Sequence, residues 1–200
     1  MSKSNLEYRE KIKIHLLESA EIKRKTAEEC MEVVLEAAQT IIKAFKSGRK
    51  VMICGNGGSA ADSQHMAGEL VCVLHKSFNR PALPAMALTT DSSILTARSN
   101  DFGFDDIFKR QVEAFGRPGD VLIGISTSGT SGNVLAAFKI ARQAKIHTIL
   151  LTGNNLKAKK VADIAINVPS DNTQFIQESH LAIEHVICEL VEDQLFRHGH

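Results

Sequence analysis

A chain of 200 residues is long enough for one domain that buries a sizeable core without the help of disulfide bonds. Hydrophobic residues make up 44% of the sequence and charged residues 24%, a balance typical of soluble globular proteins. Because 24 Lys and Arg residues nearly cancel 23 Asp and Glu residues, the net charge points to neither nucleic acid nor a membrane surface. Any anionic ligand must therefore be held by local geometry.

The N-terminal sequence and the cysteines predict a cytoplasmic protein. The first residues are polar and lead into a charged helical sequence, and no apolar run approaches the ~20 residues that span a bilayer. The four cysteines, Cys30, Cys54, Cys72 and Cys188, stand far apart and form no C-x-x-C pair. We therefore expect a reducing, cytosolic compartment.

The first part of the chain, residues 1–48, predicts a pair of helices that forms an N-terminal extension. The second helix is the clearer one, because its apolar positions recur at helical spacing and Gly48 follows as a stop signal. Residues 49–200 then alternate between short apolar runs and helical stretches. The runs predict strands at 51–54, 85–88, 121–125, 148–151 and 164–168. The helical stretches lie at about 58–74, 91–99, 103–115, 131–144 and 174–196.

Near-continuous apolar strands separated by helices predict an α/β fold, a doubly wound five-stranded parallel sheet flanked by helices. In such sheets, ligands bind where the carboxyl ends of the strands meet the helices that follow. Two loops of unusual composition occupy positions of this kind.

The loop after the first predicted strand contains Asn56, Gly57, Gly58 and Ser59. Its glycines permit positive φ and let backbone N–H groups approach a ligand closely. A tight strand-to-helix turn explains the same glycines without a ligand. The spacing matches neither a Walker loop nor the G-x-G-x-x-G fingerprint, so a nucleotide-binding oxidoreductase is not supported.

The loop after the third predicted strand carries four hydroxyl groups, on Ser126, Thr127, Ser128 and Ser131, and a helix follows it. A helix N-terminus has unpaired N–H groups and a positive partial charge, which suit a phosphate. One hydroxyl would be enough to cap the helix, and four exceed that need. We therefore predict that this loop binds a phosphate group.

Four side chains could bind one divalent cation. His65 and Glu69 lie four residues apart on the helix after the first loop, and therefore on one face. Gln177 and His185 lie eight residues apart, about two turns, on one face of the last helix. Nitrogen and oxygen ligands of these types suit zinc and related metals.

By spacing alone, the same pattern also fits a solvated helix face, which is the commoner case. Glu184 and Glu189, on either side of His185, fit that interpretation. His180 lies about 100° from the stripe formed by Gln177 and His185 and could contact another subunit.

These motifs together resemble the phosphoheptose isomerases of the sugar isomerase (SIS) domain superfamily. The resemblance runs through nearly the whole chain, at 55–62, 65–69, 87–91, 100–104, 125–128, 176–178 and His185. In that superfamily the Ser-rich loop also occurs in non-catalytic sugar-phosphate sensors. The pairs His65/Glu69 and Gln177/His185 distinguish the isomerases from those relatives.

The resemblance implies that residues 49–200 form an SIS domain and that the protein is a homotetramer with active sites near subunit interfaces. It implies conversion of sedoheptulose 7-phosphate to D-glycero-D-manno-heptose 7-phosphate through an enediolate, in heptose synthesis for the lipopolysaccharide of the cell envelope. It also implies one zinc ion per subunit, held by His65, Glu69, Gln177 and His185. Glu69 and His185 would be the catalytic acid/base pair, with Glu69 as the base.

Substrate contacts are implied for a larger set of residues. They are Asn56, Gly57, Gly58, Ser59, Glu69, Asn100, Asp101, Ser126, Thr127, Ser128, Ser131 and Gln177. One position departs from the family pattern, because Val73 stands where an arginine near the sugar is usual. His75, Lys76 or Arg80 could substitute if the backbone brings one of them to the sugar; otherwise the sugar specificity has changed.

Two alternative functions stay open. The first is a non-catalytic SIS-domain adaptor that binds a sugar phosphate and regulates replication initiation through protein contacts. The second is an isomerase that acts on a different ketose phosphate. Retention of all four predicted metal ligands argues against the adaptor, which has no need of them.

Overall fold

The computed structural model describes residues 3–76, 78–155 and 160–197. In chain order the helices and strands are α1 Lys3–Lys46, β1 Val51–Gly55, α2 Gly58–Val71, β2 Ala85–Ala87, α3 Ser92–Phe102, α4 Ile107–Phe115, β3 Val121–Ile125, α5 Gly132–Gln143, β4 His147–Thr152, β5 Ile164–Asn167 and α6 Thr173–Glu192. A short 3₁₀ turn, Phe104–Asp106, precedes α4, and a π-helical turn, Asp193–Arg197, follows α6.

The five strands form one parallel sheet in the order β2-β1-β3-β4-β5, which confirms the predicted doubly wound fold. Strands β1 and β3 are buried along their whole length. The strand order reverses between β1 and β3, and ligands of such sheets bind at this reversal. Gly55 pairs with Ile125 in the register, so the loops that follow β1 and β3 leave the sheet side by side.

The N-terminal segment is one continuous helix of 44 residues, so the predicted pair of helices is wrong. The sequence between Lys3 and Lys46 contains neither Gly nor Pro, and nothing in it breaks a helix. Ala37, Ala38 and Ile41 are fully buried and share one core with the sheet. The boundary between an N-terminal extension and an SIS domain at residue 48 stays a prediction. The outer ends of these two segments, residues 1–2 and 198–200, lie outside the described ranges.

The strands divide the interior into two cores by alternation of their side chains. Ile53 and Ile123 face the core that α1, α2 and α6 cover. Met52 and Leu122 face the other core, which α4 and α5 cover. Helices α2 and α6 therefore lie on the same face of the sheet and touch each other. Within the described part of the chain, every helix is too short or too polar to cross a membrane.

Candidate active site

The two loops at the reversal of the sheet are joined by a pair of amide side chains. Asn56 Nδ2 donates to Asn133 Oδ1 at 2.9 Å, and Asn133 Nδ2 donates to Asn56 Oδ1 at 2.8 Å. Asn133 is 2% exposed, so this pair is shielded from water. Sequence analysis missed Asn133; its position just inside a helix that follows a Ser-rich loop was the available signal. The pair fixes the loop after β1, residues 56–59 (the glycine loop), against the loop after β3, residues 126–131 (the hydroxyl loop).

The hydroxyl side chain at the N-cap of α5 does not cap the helix. Ser131 occupies the N-cap position of α5 but makes no side-chain capping bond. Its Oγ lies 2.8 Å from Ser126 Oγ, and Ser128 Oγ lies 2.9 Å from Thr130 Oγ1. Gly129 has φ 65°, the left-handed conformation that glycine adopts without strain. The hydroxyls therefore gather at the start of a helix without serving as its cap.

The glycine loop meets α6 at Gly58. A Cβ atom on Gly58 would lie 2.5 Å from Gln177 Nε2, so any other residue here would displace the amide from its present position. Ser59 is 3% exposed, and its N–H donates to Asn56 O at 3.0 Å, so this residue shapes the turn. Gly57 has φ 58°, again in the left-handed region. The loop thus brings backbone and amide groups together at the start of α2.

A carboxylate and two imidazoles meet where α2 and α6 touch. His65 Nε2 lies 3.0 Å from Glu69 Oε1, and His185 Nδ1 lies 2.7 Å from the same oxygen. The two imidazole rings stand edge to face with their centroids 5.0 Å apart. One ligand atom from each residue lies within 4.8 Å of the others. Three of the four predicted metal ligands are therefore assembled as one cluster.

The environment of Glu69 suits a cation. Its Oε2 atom is buried and has no hydrogen-bond partner of normal geometry among the described residues. The Cys188 thiol lies beside it, and burial, followed by the charge of Glu69, raises the pKa of that thiol, so the thiol stays neutral. A mostly buried carboxylate next to two imidazoles fits a zinc ion with N and O ligands.

Two polar residues of α6 lie deeper in the protein than the alternatives left open by the sequence. Glu184 is fully buried rather than solvated. Burial, followed by the charges of Asp62 and Glu69, raises the pKa of Glu184 to about 9, so its carboxyl is neutral at pH 7. His180 is fully buried against Thr152 O, at 3.2 Å, so it cannot contact another subunit. Burial lowers the pKa of His180 to about 4.

Asn100 and Asp101 lie apart from these contacts. Both side chains are exposed near the C-terminal end of α3, where Asn100 Nδ2 donates to Asp101 Oδ1 at 2.8 Å. Apart from this bond to each other, neither side chain hydrogen-bonds to a predicted site residue within the described ranges. Their contact with a substrate stays a prediction.

Arg80 does not replace the arginine that Val73 lacks. Its side chain is 1% exposed, and its Nε donates to Glu192 Oε1 at 2.8 Å. Its other nitrogens donate to backbone carbonyls at the end of α2. Of the three candidates, only His75 and Lys76 are exposed and free of such a role in the part of the chain that the structure describes.

Comparison with known proteins decides the family. The model of the SIS domain family matches residues 15–153. A phosphoheptose isomerase of Chlorobaculum parvum is 48% identical over 94% of this chain and 91% of its own length. The chain belongs to the phosphoheptose isomerases of the SIS domain family. The prediction of an aldose–ketose isomerase is thereby confirmed.

Solved structures of phosphoheptose isomerases share the whole fold. The enzyme from Neisseria gonorrhoeae superposes with a TM-score of 0.86 at 40% identity, over 93% of this chain and 99% of that one. The enzyme from Francisella tularensis gives a TM-score of 0.88 at 36% identity, over 93% and 98% of the two chains. The fold of this chain is therefore that of the solved phosphoheptose isomerases.

Proposed function

We propose that this phosphoheptose isomerase is zinc-dependent and interconverts sedoheptulose 7-phosphate and D-glycero-D-manno-heptose 7-phosphate. The observation that carries the proposal is the position of the Glu69 carboxylate between the imidazoles of His65 and His185. Glu69 lies near the C-terminal end of α2, and the loop of hydroxyls that suits a phosphate follows β3. The reaction needs these two functions in one site.

The donor atoms present fit one zinc ion. His65, Glu69 and His185 supply two nitrogens and an oxygen, and Gln177 would add a neutral amide oxygen. Zinc, when bound, polarises the substrate carbonyl and stabilises negative charge on its oxygen. A neutral fourth ligand leaves the centre less negative than a second carboxylate would.

Ketose–aldose isomerisation moves a proton between C1 and C2 of the sugar through an enediolate. Glu69 takes this proton from one carbon and returns it to the other. His185, whose Nδ1 lies 2.7 Å from Glu69 Oε1, carries the proton that moves between the sugar oxygens. A carboxylate and an imidazole from two different helices thus divide the two proton transfers.

The phosphate end of the sugar is bound by the hydroxyl loop. Ser126, Thr127, Ser128 and Ser131 can rotate their O–H groups towards an anion, and the N-terminus of α5 adds its partial positive charge. The amide pair Asn56/Asn133 links this loop to the glycine loop, which would contact the sugar. This contact would hold the glycine loop at a fixed position relative to the bound phosphate.

A homotetramer is part of the proposal. Leu6, Ile12 and Leu16 on α1 are each more than 60% exposed, and several exposed apolar side chains within one helical segment are typical of an interaction surface. We place the enzyme in the cytoplasm, in heptose synthesis for the cell envelope.

One observation favours a second candidate substrate, another ketose phosphate. Val73 supplies no charge near the sugar, and Arg80 is committed to Glu192. A direct test is incubation of purified protein with sedoheptulose 7-phosphate and, separately, with shorter ketose phosphates, followed by NMR of the products. We expect the seven-carbon aldose from the first. If only a shorter ketose phosphate gives an aldose, that sugar is the substrate. If no sugar gives an aldose, a non-catalytic adaptor is favoured.

A further inference from the structure

A buried ion pair joins the ends of the two helices that carry the predicted zinc ligands. Arg80 Nε donates to Glu192 Oε1 at 2.8 Å, and each side chain is 1% exposed. Arg80 follows α2 in the chain, and Glu192 is the last residue of α6. Buried ion pairs of this kind are costly to desolvate and must be matched by further hydrogen bonds.

Those further bonds fall on the end of α2. The last four carbonyl groups of a helix have no partner within it. Arg80 Nη2 donates to Glu69 O at 2.8 Å, and Nη1 donates to Leu70 O at 2.9 Å. A cation at this end also interacts favourably with the helix dipole. The guanidinium therefore binds the backbone of the residue whose carboxylate is the centre of the site.

The other partner belongs to the helix of His185. Glu192 lies seven residues after His185, about two turns, and therefore on nearly the same face of α6. Its Oε1 atom also accepts the N–H of Leu74 at 2.8 Å, which fixes the chain just beyond α2. The pair thus ties the Glu69 backbone to α6 below the ligand cluster.

We propose that Arg80 and Glu192 are positioning residues that hold Glu69 and His185 at the separation zinc requires. This inference rests on the proposed function. Ligands from two separate helices must be held to within about 0.5 Å, and groups that orient them typically change metal affinity by about 10 to 100-fold when removed. Neither residue touches the ligand atoms, so they act through the backbone of Glu69 and through α6.

The test is zinc affinity, measured by competition with a chromophoric chelator, together with the melting temperature of the metal-free protein. Arg80→Met should weaken zinc binding about 10 to 100-fold. The matched control is Lys50→Met. It removes the cation of the ion pair between Lys50 and Asp120, 2.5 Å apart, which directly precedes β1 and β3 and includes none of the predicted zinc ligands. It should lower the melting temperature and leave zinc affinity unchanged.

A double variant separates positioning from stability. Replacement of both partners of a buried ion pair by apolar residues is often neutral or stabilising. Arg80→Met with Glu192→Met should therefore recover part of the melting temperature lost in Arg80→Met, because no charge is left buried alone, but not the zinc affinity, because Glu69 O has lost its donor. This variant also carries the test if Arg80→Met alone fails to fold.

Two results would overturn the inference alone. They are wild-type zinc affinity in a folded Arg80→Met protein, and recovery of both melting temperature and zinc affinity in the double variant. A wild-type protein that binds no zinc would contradict the proposed function and this inference together.

Discussion

His185 Nδ1 lies 2.7 Å from Glu69 Oε1, although the two residues stand on different helices and far apart in the chain. The contact exists because α2 and α6 pack side by side on one face of the sheet. A carboxylate and an imidazole at hydrogen-bond distance can pass a proton between two atoms of a substrate. The relationship makes Glu69 the residue whose chemistry is most open to test.

Glu69→Gln should abolish turnover while the fold survives. The amide keeps the size of the side chain but cannot accept the substrate proton, and general acid–base catalysis typically contributes about 10² to 10⁴-fold. The measurement is kcat with sedoheptulose 7-phosphate, with circular dichroism as a check of folding. Glu189→Gln, at an exposed position of the same α6 helix as His185, is the control and should leave kcat unchanged. Near-normal turnover by Glu69→Gln would remove Glu69 from the mechanism.

Gly58→Ala should impair the site through Gln177. The new Cβ would lie 2.5 Å from Gln177 Nε2 and would push that amide away from the glycine loop. We expect lower zinc affinity and a lower kcat/KM, with little change in melting temperature. Gly68→Ala, on the same helix, meets nothing within 4 Å and is the matched control. Equal effects of the two substitutions would mean that Gln177 has no role in the site.

Ser131→Ala should weaken substrate binding more than it slows turnover. The hydroxyl would bind the phosphate equally in the ground state and the transition state, so its loss raises KM and leaves kcat nearly unchanged. One neutral hydrogen bond contributes about 1 kcal/mol, or roughly fivefold in KM. Thr40→Ala, which removes a hydroxyl on α1 outside the predicted contacts, is the comparison. A fall in kcat with constant KM in Ser131→Ala would contradict a phosphate-binding role.

The buried imidazole of His180 predicts acid sensitivity. Burial lowers its pKa from 6.5 to about 4, so the unfolded chain binds this proton below pH 6.5 and the folded protein only below about pH 4. Stability from this group is complete above pH 6.5 and is lost as the pH falls towards 4. His180→Gln keeps a donor for Thr152 O and does not titrate. Its free energy of unfolding should change less between pH 7 and pH 4.5 than that of the wild type. If the free energy of unfolding changes equally with pH in the wild type and in His180→Gln, the buried imidazole is not neutral as described.

Local patterns in the sequence predicted most of the fold and much of the site. The strands were recognisable because each is a short, almost wholly apolar run, and the hydroxyl loop exceeded what a helix cap needs. The prediction of two N-terminal helices was wrong for a physical reason. The residues from Leu6 to Leu17 are largely exposed, so they lack a clear apolar stripe, although the helix runs through them without a break.

Residues whose role depends on tertiary packing could not be predicted. Helix α6 is buried on more than one side, since it packs against α1, α2 and the sheet. Its polar residues His180 and Glu184 therefore lie in the interior. If only one face of the helix were buried, these two residues would be exposed to water. The sequence suggests Arg80 as a substrate contact because its charge is visible there. Its ion pair with Glu192 could not be predicted, because Glu192 is distant in the chain.

Removal and return of the metal tests the central claim most directly. Purified protein is stripped with a chelator and given zinc in steps up to one ion per subunit, while aldose formation from sedoheptulose 7-phosphate is measured. We expect activity to vanish on stripping and to return in proportion to zinc, with full recovery at one ion per subunit. Full turnover by metal-free protein, or none by protein that holds one zinc ion per subunit, would contradict it.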